Sequence, residues 1–218
     1  MFFNLEWGNK MKNKFKQAFT KIKEDETTQK YFDRISKGPT HKFIENILKE
    51  IKRLKVKNIL DVGCGTGYVT KEIAKINQNI TACDTDAERV RLAKGFVGKD
   101  IQNNITFLTI KPGKLPFKDN SFDLVVCFEV LEHVPNYMGL IKELKRVSKK
   151  YVLITVPNEP YFRIANFLRL KYFKSLGNSP GHINHFTKRK IVEILKKQFK
   201  IKKVETNAFF WVMVLCEI

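Results

Sequence analysis

The residues best suited to chemistry cluster around one short segment. Asp61-Val-Gly-Cys-Gly-Thr-Gly67 places glycines at 63, 65 and 67 behind an acid. Glycine admits left-handed backbone and lets a ligand approach without a Cβ in the way, so this segment reads as a ligand-binding turn. It lacks the G-x-G-x-x-G spacing of dinucleotide turns, because position 68 is Tyr. Asp61 would repel a pyrophosphate and attract a ligand bearing ammonium or sulfonium groups. A second acid, Asp84, follows 17 residues after Gly67, and one carboxylate can accept two hydrogen bonds from a vicinal diol. Proton acceptors come later: Glu129, then His182 and His185 in Gly181-His-Ile-Asn-His-Phe-Thr187. Glu132 and His133 fit a helix entry and a packed ring as readily as catalysis.

Strands alternating with helices must position these groups. Asn58–Val62 reads as a strand feeding the glycine turn, and Tyr68–Lys75 as the helix that leaves it. Ile80–Cys83 is a second strand ending at Asp84, followed by a helix over 86–96 and a strand over Ile105–Ile110. Phe122–Phe128 is almost uninterruptedly apolar, as expected of a strand covered on both faces. A helix over Tyr137–Lys149, a strand over Tyr151–Val156, a helix over Lys188–Phe199 and two closing strands complete the chain. This rhythm predicts an α/β fold: a Rossmann-like, doubly wound, seven-stranded sheet, mostly parallel with an antiparallel C-terminal strand and helices on both faces. Ahead of it, residues 1–57 read as a helical extension packing on the core. It contains a polar helix over 9–35 and, after Gly38-Pro39, a helix capped by Thr40 with Phe43, Ile44, Ile47, Leu48, Ile51 and Leu54 on one stripe.

Composition narrows the function. The 218 residues are 43% hydrophobic and 29% charged, which excludes general disorder. The net charge is +19, with +3 over residues 58–157 and +8 on each flank. Such charge predicts attraction to polyanions, while lysines scattered over every helix also suit ordinary solvated faces. Cys64, Cys83, Cys127 and Cys216 form no C-x-x-C pair, so a reducing, cytoplasmic setting is expected. Met1–Trp7 is too short an apolar run for a leader, and Ala208–Cys216 too short for a membrane span.

Asp61–Gly67 resembles motif I of the class I S-adenosylmethionine-dependent methyltransferases. Leu115-Pro-Phe-Lys-Asp-Asn-Ser-Phe-Asp123 resembles the stretch before the fourth strand in the subgroup that includes the quinone-biosynthesis methyltransferases. Glu129-Val-Leu-Glu-His-Val134 is similar to that subgroup's segment after the strand, and the likeness spans residues 55–157. It implies a methyltransferase domain over 58–218 that uses S-adenosyl-L-methionine and needs no metal, because a sulfonium is already an activated leaving group. By the same resemblance Gly63, Cys64, Gly65, Thr66 and Gly67 line the methionine and ribose side, and Asp61 lies near the amino group. Asp84 takes the ribose, Thr85 lies beside the adenine, and Phe128 and Glu129 flank the sulfonium and the incoming acceptor. His185, His182 and Glu129 are the candidates for base or acceptor-orienting roles. One position departs from the pattern. Lys111 stands where the family usually has an acid for the adenine amino group, and lysine has donors only. Either a backbone carbonyl near Ile110 reads the adenine, or the loop follows another path.

Residues 158–181 break the rhythm. Tyr161, Phe162, Phe167, Tyr172 and Phe173 interleave with Arg163, Arg169, Lys171 and Lys174. This composition suits a lid over the acceptor pocket, a peripheral contact with the anionic inner face of a membrane, or nucleic acid. The leading expectation is methyl transfer to oxygen, nitrogen or carbon of a small-molecule or lipid-linked acceptor. An RNA methyltransferase is the same-class alternative, and a catalytically silent cofactor-binding or partner-activating subunit, motivated by Lys111, is the alternative of another class.

Overall fold

The computed structural model describes residues 39–77, 79–168, 175–179, 181–207 and 209–218. The helix expected over 9–35, together with Arg169, Lys171, Tyr172, Phe173 and Lys174, lies outside the described residues. The chain divides after His41, and the larger unit holds the sheet.

In chain order the elements are α1 (Pro39–Leu54), β1 (Ile59–Val62), α2 (Tyr68–Ala74), β2 (Ile80–Asp84), α3 (Ala87–Val97), α4 (Lys99–Gln102), β3 (Ile105–Thr109), β4 (Phe122–Phe128), a 3-10 turn (Leu131–His133), α5 (Tyr137–Val147), β5 (Ser148–Pro157), α6 (Tyr161–Leu168), α7 (Lys188–Lys196), β6 (Lys200–Asn207) and β7 (Trp211–Glu217). The strands form one sheet in the order β3-β2-β1-β4-β5-β7-β6. β1 pairs in parallel with β2 and β4, β2 with β3, and β4 with β5, while β7 runs antiparallel between β5 and β6. This is the doubly wound sheet expected from the alternation. The winding reverses between β1 and β4, and open α/β sheets bind ligands outside the carboxyl ends of strands at such a switch point.

Both faces are covered, which explains the apolar run of β4. Leu124, Val126 and Phe128 point into a layer shared with Phe43, Ile47 and Ile51 of α1, Ile73 of α2 and Ala93 of α3. Val125 and Cys127 point the other way, against Ile141 and Leu144 of α5 and Ile191 and Leu195 of α7. Each large side chain so buried stabilises the fold by roughly 1.5–3 kcal/mol.

Several boundaries differ from expectation, among them the end of α7 at Lys196 instead of Phe199; two of the differences have a visible cause. α1 begins at Pro39, so Thr40 stands inside the first turn and does not cap it; proline's fixed φ suits the first helical position. α5 stops at Val147, two residues early, because Ser148 already pairs with Phe122 and its hydroxyl donates to the Tyr151 carbonyl at 2.7 Å. Two helices are capped by side chains: the Asp86 carboxylate accepts from the N–H groups of Glu88 and Arg89, and Thr187 accepts from the N–H of Lys190.

Candidate functional site

The glycine turn folds back over the end of β2. The N–H groups of Gly63 and Cys64 both donate to the Cys83 carbonyl, at 2.8 and 3.0 Å. The Gly65 N–H donates to Asp84 Oδ2 at 2.9 Å, and the Asp86 N–H donates to Asp84 Oδ1 at 3.0 Å. Each carboxylate oxygen thus keeps a lone pair for a further donor.

The three glycines have different reasons. A Cβ on Gly63 would meet Val130 Cγ2 at 2.4 Å, and one on Gly67 would meet Ala93 Cβ at 2.9 Å. These two let the turn press on the segment after β4 and let the start of α2 lie on α3. A Cβ on Gly65 would meet nothing within 4 Å, and its φ is +55°. Gly65 is the glycine that faces open space beside Asp84.

Asp61 is buried beneath the turn and accepts from Thr70 Oγ1 at 2.6 Å. Burial pushes its pKa up to about 6; the Thr70 bond opposes this and the charge of Asp84 adds to it. Cys64 is half-buried, and burial beside Asp61 and Asp84 pushes its thiol far up, so it serves as a neutral lining group. Thr66 is half-buried, while Thr85 and Lys111 are exposed. The Ile110 N–H donates to the Asp84 carbonyl at 2.9 Å, which holds the loop after β3 against the end of β2.

Phe128 is buried in the core at the end of β4. Glu129 follows in left-handed backbone, φ +57°. Its N–H donates to the Thr155 carbonyl at 3.2 Å. Its carboxylate turns inward: Thr155 Oγ1 donates to Oε1 at 3.1 Å and Trp211 Nε1 donates to Oε2 at 2.8 Å. Burial holds this carboxyl well above the usual range, and both bonds pull it back down.

Glu132 is buried, and neither carboxylate oxygen has a hydrogen-bond partner. Burial raises its pKa and the charge of Glu129 adds to the effect. Its carbonyl accepts from the N–H groups of Ile183 and Asn184, whose side chain in turn donates to the carbonyls of Leu131 and Val134 at 2.9 and 2.8 Å. Asn184 therefore fastens the late histidine segment onto the 3-10 turn. His182 lies edge-on to His133 at 4.8 Å between ring centroids and stacks on Phe162 of α6 at 5.7 Å. Burial lowers the pKa of His133 and takes that of His182 to about 4. His133 Nδ1–H donates to the Gly181 carbonyl at 2.9 Å, leaving Nε2 with a lone pair. Ligand-type atoms of Glu132, His133 and His182 lie within 4.8 Å of one another.

Of the three residues expected to act on the acceptor, Glu129 and His182 both neighbour Glu132. His185 has a different partner: its Nε2 contacts Asn178 Oδ1 at 3.1 Å, and its neighbouring charges are Arg163 and Lys190. Sequence reasoning passed over Trp211, Thr155 and Asn184, which hold these groups in place. It also gave no physical reason for the Leu115–Asp119 segment. Arg146 of α5 donates to the carbonyls of Leu115 and Phe117 and to Asp119, while its neighbour Glu143 accepts from the Leu115 N–H.

Beside this end of the sheet, α6 leaves Tyr161, Ile164 and Leu168 exposed at 60%, 51% and 76%. Pro160, Arg163, Ile164, Phe167, Leu168 and Leu176 line an apolar groove there. No helix among the described residues is long and apolar enough to cross a membrane.

Residues 60–154 match a family described as "Methyltransferase domain". The chain is 33% identical over 138 residues to the "tRNA U34 carboxymethyltransferase" of Nautilia profundicola, a match covering 57% of this chain and 46% of that protein. It is 28% identical over 151 residues to the "Ubiquinone biosynthesis O-methyltransferase" of Rickettsia conorii, covering 62% and 49%. The chain thus spans about half the length of the curated relatives it matches. Among solved structures, a SAM dependent methyltransferase from Aquifex aeolicus shares the fold with a TM-score of 0.66 at 20% identity, over 88% of this chain and all of that one.

Proposed function

We propose that this chain, which carries a class I S-adenosylmethionine-dependent methyltransferase domain, moves the methyl group of S-adenosyl-L-methionine to an oxygen, nitrogen or carbon of a small-molecule acceptor. The observation that carries this reading is the bond from the Gly65 N–H to Asp84, with open space beside Gly65. A turn without a Cβ next to a carboxylate with free lone pairs fits a nucleoside ribose. Asp61 fits the ammonium of the same ligand, since its charged form is disfavoured by burial and a cation would restore it. Lys111 does not fit an adenine amino group, so that contact falls to the backbone near Ile110.

Bound S-adenosylmethionine supplies a methyl group on a sulfonium that leaves as a neutral thioether. The protein contributes alignment. Holding nucleophile, methyl and sulfur in line is worth roughly 7–11 kcal/mol. A positioned base adds about 10²–10⁴-fold where the nucleophile carries a proton, and Glu129 is the side chain of this chain best held for that role. Calorimetry with S-adenosylmethionine and S-adenosylhomocysteine tests the reading, followed by transfer of labelled methyl to a panel of phenols, catechols and amines. No heat of binding at millimolar ligand would overturn it.

Glu132, His133 and His182 extend the reading with a divalent cation, which departs from the metal-free expectation. A buried carboxylate with two unpartnered oxygens must either stay protonated or meet a cation. Two neutral imidazoles beside it complete a ligand set suited to zinc or manganese. Such a cation would supply Lewis-acid polarisation of an acceptor oxygen.

The exposed apolar face of α6, with Arg163 beside it, supports an apolar or lipid-linked acceptor met at an anionic membrane surface. An RNA acceptor is the second reading. It is favoured by the net charge of +19 and by the likeness to a protein named for tRNA U34. Binding measured across salt separates the two: RNA held through 6–10 phosphates should weaken about 10³–10⁵-fold between 50 and 200 mM, and a small apolar acceptor should not respond.

A further inference from the structure

Trp211 opens β7 and pairs with Pro157 at the far end of β5, so its indole reaches the carboxyl end of the parallel strands. Its one polar atom donates to Glu129 Oε2 at 2.8 Å. Its ring meets Phe43 of α1 at 4.6 Å between centroids, Phe162 of α6 at 6.3 Å and Phe210 at 5.9 Å. One side chain therefore joins the acid at the tip of β4 to the helix before the sheet and to the helix of the insert.

Glu129 is an unusual residue to hold this way. Its left-handed backbone costs a non-glycine residue about 1 kcal/mol or more. Its donors, a hydroxyl and an indole, are both neutral, and no lysine or arginine contributes to its surroundings among the described residues. In a chain of net charge +19, an acid kept apart from lysine and arginine at a strained backbone position is not arranged for stability. Val130, the next residue, packs so close to Gly63 that a Cβ there would meet it at 2.4 Å, so Glu129 stands beside the glycine turn.

We propose that Trp211 is a positioning residue for methyl transfer: with Thr155 it fixes the Glu129 carboxylate to receive the proton of an O–H or N–H acceptor, and through Phe162 it ties that orientation to α6. In the step, the acceptor lone pair forms a bond to the methyl carbon and the carbon–sulfur pair stays on sulfur. The acceptor proton passes to Glu129 and then to solvent. The inference rests on the methyltransferase reading above, and Asp84→Ala distinguishes the two: if cofactor binding fails to respond to Asp84→Ala, that reading is at fault, not this one.

The full chain carries two tryptophans, Trp7 and Trp211. In a spectrum of ¹⁵N-labelled indoles, assigned with Trp7→Phe, the Trp211 N–H should move upfield in Glu129→Gln and should shift when S-adenosylhomocysteine is added. A resonance that ignores both changes overturns the proposal without any acceptor being known. Trp211→Phe keeps the ring contacts and removes the donor. With the best acceptor of the phenol and amine panel, kcat should fall about 10–100-fold while KM for S-adenosylmethionine stays within about twofold. Glu129→Gln should lose about as much, and the double variant no more than either alone, since the two act as one unit. Losses that multiply in the double variant, or a Trp211→Phe enzyme with undiminished kcat, would also overturn it. Should Trp211→Phe not fold, Thr155→Val against Thr155→Ser repeats the comparison, with the serine variant expected to retain activity.

Discussion

The Gly65 N–H and Asp84 Oδ2, 2.9 Å apart, join the turn after β1 to the end of β2 in a single bond that also aims the carboxylate. The other oxygen is held by the Asp86 N–H at the start of α3. Asp84→Ala removes the carboxylate proposed to accept from both ribose hydroxyls and loosens the turn. With charge-assisted hydrogen bonds worth about 1.5–3 kcal/mol each, affinity for S-adenosylmethionine should fall at least about 100-fold by calorimetry. Asp84→Asn keeps an acceptor and should lose less. Equal affinity in all three proteins would remove the ribose assignment.

Asp61 makes the site sensitive to pH. Its folded pKa of about 6 lies above the ordinary value of 3.8, so its stabilising contribution is complete below pH 3.8 and is lost as pH rises to about 6. The loss is ~3 kcal/mol by linkage. Asp61→Asn cannot ionise, so its stability relative to wild type should grow between pH 4 and pH 6.5 in parallel urea titrations. Cofactor affinity should run the opposite way in the wild type and rise over this window, because the ligand ammonium favours the ionised acid. A stability difference that stays flat with pH would show that Asp61 is not titrating there.

Much of this arrangement was legible from the residues. Strands buried on both faces must read as apolar runs, and Leu124–Phe128 does. Gly65 and Asp84 each carry their reason in their type. The rest depends on contacts across long stretches of chain. Trp211 lies 82 positions from Glu129, and an aromatic residue in a closing strand reads as core. Glu132 and His133 read as helix entry until His182 arrives from the segment after β5. Arg146 follows a helical period and resembles a solvated cation, yet it clasps the Leu115–Asp119 loop. The end of α5 is not visible in the sequence, because Ser148, Lys149 and Lys150 continue a helix-compatible pattern and only the pairing of Ser148 with Phe122 turns the chain into strand.

The glycines should separate by substitution. Gly67→Ala drives a Cβ to 2.9 Å from that of Ala93 and should cost the fold about 1–3 kcal/mol as an overpacked contact. Gly65→Ala meets no neighbour and pays only for its left-handed backbone, about 1 kcal/mol. Its larger effect should be on cofactor affinity, because its methyl enters the open space beside Asp84. Melting curves and calorimetry on the two variants give the test, and a Gly65→Ala protein that binds as tightly as wild type would place the ligand elsewhere.

Glu132 predicts a metal effect. Manganese or zinc titrated into the chelator-treated chain should bind with one site and raise the melting temperature. Glu132→Gln keeps the shape but removes the charge, and should weaken that binding at least about tenfold, the lower range seen when a metal site loses a supporting group. His185→Ala, whose ring faces Asn178, should leave it unchanged. Equal metal binding by wild type and Glu132→Gln would dismiss the site.

Arg146 tests the scaffold apart from the chemistry. Its guanidinium serves the carbonyls of Leu115 and Phe117 and the carboxylates of Asp119 and Glu143, and those bonds hold the Glu143 carboxyl below its usual range. Arg146→Ala strands the two carbonyls and leaves two acids facing each other, so unfolding free energy should fall by about 2 kcal/mol. Arg146→Lys supplies one point charge for a planar fork and should recover only part of that. Because Arg146 clasps the loop at the start of β4 while Trp211 bonds Glu129 just past its end, neither variant should alter the Trp211 indole resonance. A variant as stable as wild type in urea would show that the loop holds its place without the arginine.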